Sequence, residues 1–203
     1  MNSNLKWIIP VGIIIILGIV LWGMTAGFNN KAVTLEENAQ TAWSNVESSY
    51  QRRNDLIGNL VKTVQGAADF ERKTLTDVIE ARSKATSVNV DASNLNPESI
   101  KAFGQAQSGM SSALSRLLVS VERYPDIKAN QNFLNLQAQL EGTENRINVA
   151  RNRYNEAVGD FNILIRKFPN NLFAGMFGFQ ALTRYEAEAG SENAPNVEFN
   201  SYD

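Results

Sequence analysis

Two carboxylates three residues apart, Glu141 and Glu144, lie in the densest charged run of the chain, beside Asn145, Arg146, Arg151 and Arg153. Residues three apart share a helix face, so the pair has the spacing for acid–base work or for a hard cation. The same spacing suits a salt-bridge layer, solvated or between helices, that sets register, and this is the expected role. A diiron site in a helical bundle needs Glu-x-x-His motifs, and the chain contains no His and no Cys. Without them there is no side chain titrating near neutrality, no usual zinc donor, no Cys/His nucleophile pair and no Ser-His-Asp triad. What remains for chemistry is carboxylate, Lys, Tyr and Ser. Ser83-Lys84 is a lone dipeptide in a charged helix and carries no signal for a Ser/Lys hydrolase. Arg52 and Arg53 beside Asp55 have the types to meet phosphate or anionic lipid, but their helical spacing makes ordinary ion pairs the expectation. No residue is assigned a catalytic, cofactor-binding or metal-ligating role, no cofactor is expected, and the chain reads as a non-enzyme.

The elements that carry these residues are long helices. Phe133, Leu140, Ile147, Tyr154, Phe161 and Phe168 recur every seventh residue, and Leu136, Thr143, Ala150, Ala157 and Leu164 form a parallel rail. That is the seam of a helix buried against other helices, expected from near Lys128 to Phe168, with small residues on the second rail allowing close approach. An earlier stripe runs Leu35, Ala39, Ala42, Val46, Ser49, Arg53, Leu56, Leu60, Val64, Ala68, Leu75, Val78. Thr34-Leu35-Glu36-Glu37 fits a capping box that would open this helix. Gly66 and Asp69 mark its one plausible break, because Gly destabilises a helix interior and Asp favours caps. The polar stripe residues Ser49 and Arg53 imply that this helix is not buried all round, and Asn59 is expected to bond across helices. Asn96-Pro97 caps a third segment with the stripe Ile100, Phe103, Met110, Leu114, Leu117, Val121, Tyr124, and Pro125-Asp126 ends it. Pro169-Asn170-Asn171 stops the last long helix. No segment alternates with period two. The expected fold is all-α: an N-terminal transmembrane helix, then an elongated antiparallel bundle of three long helices, or four if the first breaks between Gly66 and Asp69.

Trp7 to Met24 is 18 residues without a charge, long enough to span roughly 27 Å of hydrocarbon. Trp7 and Trp22 stand near its ends, where aromatic rings favour the interface. The run is longer than the apolar core of a signal peptide, and Met24-Thr25-Ala26 places a bulky residue where a cleavage site wants a small one. A retained, single-pass anchor is expected, contacting the bilayer through residues 7–24. Lys6 and the amino terminus against Lys31 lean the N-terminus toward the cytoplasm and the bundle away from it.

The expected organisation is an anchor over residues 1–27, a helical bundle over 28–168 entered by the polar linker Phe28-Asn29-Asn30-Lys31, a Phe/Gly-rich apolar segment over 169–182 and an acidic tail over 183–203. Leu172 to Phe179 has no charge and three Phe. It reads either as a short helix closing the bundle or as a contact patch for a second copy, a membrane-protein partner or the membrane surface. After Arg184 come five acids and no base, while the whole chain balances 19 Lys and Arg against 21 Asp and Glu. Nothing in that balance asks for nucleic acid, and no small-molecule substrate is indicated.

Several stretches resemble the LemA family of bacterial membrane-anchored helical proteins. They are Ala42-Trp43 followed by Gln51 to Val61, Glu80-Ala81-Arg82, the long run Tyr124 to Asn162, Phe168 to Phe179, and Ala194 to Phe199. The resemblance implies a single N-terminal anchor, a long helical bundle, no established catalytic activity and a scaffold role at membranes. Some relatives look like lipoproteins with a Cys after the apolar segment; this chain lacks it, so its placement rests on the anchor. The expected function is a non-enzymatic, self-associating scaffold or assembly protein of the bacterial plasma membrane, with an accessory subunit tethering a membrane protease or hydrolase as the alternative.

Overall fold

Apolar side chains at helical spacing, broken only where Gly, Asn or Pro intervenes, give a chain built of helices. The computed structural model describes residues 5–66 and 70–186. Six helices follow in order: α1 (Leu5–Gln65), α2 (Arg72–Ser87), α3 (Pro97–Val121), the single turn α4 (Pro125–Lys128), α5 (Gln131–Arg166) and α6 (Asn170–Phe177). There is no strand among the described residues. Asp69 and the acidic tail beyond Glu186 lie outside the described residues.

The expected linker and capping box are absent. α1 runs through 61 residues without interruption, and the Thr34 hydroxyl donates back to the Asn30 carbonyl at 2.8 Å, as a mid-helix Thr does. A cap is useful only where N–H groups are free. Here the apolar helix has already supplied the preceding turn of carbonyls, so propagation costs less than a new start. The break after Gln65 does occur, with α2 resuming at Arg72. α3 opens as its residues dictate: Pro97 takes the first position and the Asn96 side chain accepts from the Ser99 N–H at 2.8 Å.

The chain divides into two compact units, Met1–Val46 with Ala150–Arg184, and Glu47–Val149 with Tyr185–Asp203, so that α1 and α5 contribute to both. In the second unit Ile57, Leu60, Val64, Val78, Met110, Leu117, Phe133 and Leu140 join in one core drawn from α1, α2, α3 and α5. In the first, Phe28, Ala32, Phe161, Ile165 and Ala174 form another, flanked by Leu35, Leu164, Phe173, Phe179 and Leu182. α1 and α5 run antiparallel there, with Trp43 meeting Tyr154 at 5.0 Å between ring centroids.

Five of the six seam residues of α5 are buried, from Phe133 to Phe161, but Phe168 is 81 % exposed. The helix stops at Arg166, and Phe168 falls beyond it, before Pro169. On the second rail Thr143 and Ala150 are buried, after which burial passes from Ala157 and Leu164 to Val158 and Ile165. An α-helix drifts about 20° per heptad against a strict seven-residue repeat, which moves the buried line by one residue over this length.

Candidate functional site

Two places in the molecule gather unusual side chains. The first is a polar layer in the second unit, centred on Arg53. Its guanidinium is buried, contrary to the exposed face expected of it. Nη1 donates to Ser111 Oγ at 3.1 Å and to Glu144 Oε2 at 3.3 Å, while Nη2 donates to the Gln107 carbonyl at 3.2 Å and to Gln107 Oε1 at 3.0 Å. The Tyr50 ring lies beneath, its centroid 4.8 Å from Cζ. Gln107 passes the network on, donating from Nε2 to the Ala85 carbonyl at 3.2 Å. One guanidinium thereby ties α1 to α3 and α5, and Gln107 adds α2. A guanidinium offers donors and no acceptor, so Arg53 serves here as a fixed hydrogen-bonding hub. It penalises any slide of α1 along its neighbours, because a slide would strand a buried charge.

The other sequence candidates scatter. Glu141 accepts from Gln137 Nε2 at 3.3 Å on the exposed side of α5, whereas Glu144 turns to Arg53. The two carboxylates therefore act as separate ion-pair and hydrogen-bond acceptors. Arg52 is exposed; Asp55 pairs not with Arg53 but with Arg82, at 3.9 Å. Arg82 also donates from Nε to the Asn54 carbonyl at 2.9 Å, and its guanidinium lies across Gly58, where a Cβ would stand 3.2 Å from Cζ. Asn59 is exposed and bonds no neighbouring helix through a described contact; the buried amide is Asn54. Ser83 and Lys84 sit on the exposed side of α2.

The second place is a ring cluster in the first unit, where α6 closes over α1. Phe28 stacks among Phe173, Phe177 and Phe179 at centroid distances of 5.8, 6.4 and 5.9 Å. Phe179 also meets Phe161 edge-on at 6.0 Å. α6 can end abruptly because Gly178 adopts the left-handed conformation, φ 78°, letting the Phe179 N–H reach the Ala174 carbonyl at 3.0 Å. The segment that follows is strapped to α5. The Asn162 amide donates to the Leu182 carbonyl at 2.8 Å and accepts from its N–H at 2.9 Å, and the Tyr154 hydroxyl donates to the Thr183 carbonyl at 2.7 Å. Burial pushes the Tyr154 hydroxyl well above the usual phenol range. On α1, partial burial and then the neighbouring Glu37 charge raise the Glu36 carboxyl above the ordinary glutamate value.

Beside this cluster stands the apolar stretch of α1. Ile14, Ile16, Ile19 and Trp22 are between 63 and 73 % exposed, which is untenable in water for so continuous a run. α1 is the one helix among the described residues long and apolar enough to cross a membrane. The protein is membrane-localised through it.

A match to the LemA family extends over residues 42–199. The chain belongs to the LemA family. That match takes in the Arg53 layer and the Phe28-facing segment of α6, and leaves α1 up to residue 41 outside. Among individual proteins, the chain is 29 % identical to magnetosome protein MamQ 2 of Paramagnetospirillum magneticum over 184 residues, covering 80 % of this chain and 66 % of that protein. It is 29 % identical to magnetosome protein MamQ of Magnetospirillum gryphiswaldense over 183 residues, covering 79 % and 66 %. Protein LemA of Metamycoplasma hominis is 25 % identical over 181 residues, covering 85 % of this chain and 79 % of that one. The chain spans just under two thirds of the length of the MamQ relatives.

Sequence reasoning missed Trp43 and Tyr50 as core residues, although Trp43, Tyr50, Ile57 and Val64 stand seven apart and all are buried. It also missed Gln107 and Asn162, whose amides pair with backbone carbonyls. No local pattern marks a polar residue for that duty.

Proposed function

We propose that this protein is a non-enzymatic scaffold of the bacterial plasma membrane that assembles with copies of itself or holds a membrane-protein partner. Its N-terminus lies in the cytoplasm and its helical units on the far side. The observation that carries this reading is α1, which continues from the exposed apolar stretch into the Phe28–Ala32–Phe161 core without a turn. Anchor and folded unit are thereby one rigid element, as positioning a partner at a membrane requires. The kinship with magnetosome proteins supports a structural rather than catalytic role. So does the Arg53 layer, whose hydrogen bonds tie α1 to α3 and α5.

Extraction from native membranes into polymer-bounded lipid discs, followed by measurement of particle mass and contents, tests this. The expected result is an oligomer or a companion protein in fixed ratio. A lone monomer would overturn the scaffold reading. A membrane protease or hydrolase as the fixed companion would replace it with an accessory-subunit role.

A further inference from the structure

Four large apolar side chains at the α6 end of the first unit are exposed among the described residues. Phe168 is 81 % exposed, Leu172 63 %, Met176 66 % and Phe177 44 %. Leu172 and Met176 stand one turn apart on α6 and so share a face. The opposite side of that helix buries Ala174 and leans Phe173 on Phe28. Phe28 is one turn past Met24, the end of the strongly apolar run, and just before Asn29-Asn30-Lys31, which puts it about 6 Å further along α1 than Met24. α6 is therefore held beside the end of the apolar run of α1.

The charges that flank it in sequence are cations. No Asp or Glu occurs from residue 7 to 35 or from 161 to 185, while Lys31, Arg166, Lys167 and Arg184 do; the first acids beyond are Glu36, Asp160 and Glu186. All four cations are exposed. An apolar helix face with Arg166 and Lys167 just before it and Arg184 after it in sequence suits the surface of an anionic bilayer. It is poorly suited to a protein interface of its own. Four side chains offer a few hundred Å² at most, against about 800 Å² per partner in a stable complex.

We propose that α6 lies in the headgroup–acyl boundary of the leaflet through which α1 emerges. Phe168, Leu172 and Met176 enter the acyl side, and Lys31, Arg166 and Lys167 meet lipid phosphates. The protein then grips its membrane twice, through a span and through an interfacial helix. This inference rests on α1 as a span and names lipid, not a second copy, as what covers the patch.

The chain has no Cys, so single labels are specific. Leu172→Cys, Met176→Cys and, as a control at an exposed position of α3, Ser115→Cys are each made in the full-length protein. Each carries an environment-sensitive fluorophore and is reconstituted in phosphatidylcholine–phosphatidylglycerol vesicles. Nitroxide lipids labelled near the top of the acyl chain should quench positions 172 and 176 by about half and leave position 115 unchanged. An Arg166→Gln/Lys167→Gln variant should weaken that quenching and reduce its dependence on the anionic lipid. Labels that report water at 172 and 176, with helicity intact by circular dichroism, overturn the inference. Labels shielded without nitroxide quenching, more so at high protein density, overturn it in favour of a second copy. Its failure is distinct from that of the scaffold reading: quenching with a monomeric particle leaves α6 in lipid and removes the scaffold, and an oligomer with water-exposed labels does the reverse.

Discussion

At the scale of single residues, Arg53 shows how little a side chain's class says about its place. A positive charge on a helical stripe was expected to mark a wet face; instead Gln107, Ser111 and Glu144 converge on it and the Tyr50 ring lies beneath it. Its Nε finds no acceptor among the described residues, so the layer is costly as well as specific. Arg53→Ala should lower stability by about 2–4 kcal/mol, since it strands the Gln107 and Ser111 partners. Arg53→Met keeps most of the volume and should lose less than half of that, with thermal unfolding followed by circular dichroism deciding. Equal losses for both would show that the polar contacts, not packing, govern the site. Glu36 gives a pH signature. Its carboxyl holds its proton to higher pH in the folded protein than in the unfolded chain, so the folded state binds more protons in that window. Stability contributed by this group is present below the ordinary glutamate pKa and is lost as pH rises through the raised value. Glu36→Gln should therefore raise the melting temperature at neutral pH, by the equivalent of less than about 1 kcal/mol because the group is partly solvated, and leave it unchanged in acid.

At the scale of elements, heptad spacing located the buried line of α5 well and its end poorly. Phe133 and Phe168 occupy equivalent positions in the repeat, yet one is buried and the other almost fully exposed. Phe133→Ala should cost about 3–5 kcal/mol, as truncation of a core ring does, and Phe168→Ala should cost under about 0.5 kcal/mol. Comparable losses would mean that Phe168 is covered by something absent from the isolated chain, and repeating the measurement in lipid would reveal whether that something is membrane. The seamless α1 teaches a related lesson. Thr34 and Glu37 read as a start signal only if the chain before them is not helical, and the apolar residues 7–24 make it helical.

At the scale of the whole molecule, the decisive property is the partition between lipid and water. Ile14 sits mid-way along the uncharged stretch and is 68 % exposed in the absence of lipid. Ile14→Arg should disfavour insertion by about 2.5–3.5 kcal/mol. Alkaline extraction should then release the variant from membranes that retain the parent protein, and full retention would mean that residues 7–24 are not the principal anchor.

Apolar periodicity, an uncharged run long enough for a bilayer, and the absence of His and Cys are properties of the chain read in order. The helical class, the seam from Phe133 to Phe161, the break after Gln65 and the candidate span were all legible because each depends on near neighbours in sequence. The Arg53–Gln107–Glu144 layer and the closure of α6 on Phe28 were not. Each joins residues more than fifty positions apart, and which polar groups meet is set by how helices dock rather than by any spacing along one of them. Helix identity is a local free-energy balance, summed turn by turn; the partners of a buried charge are chosen only when the helices come together.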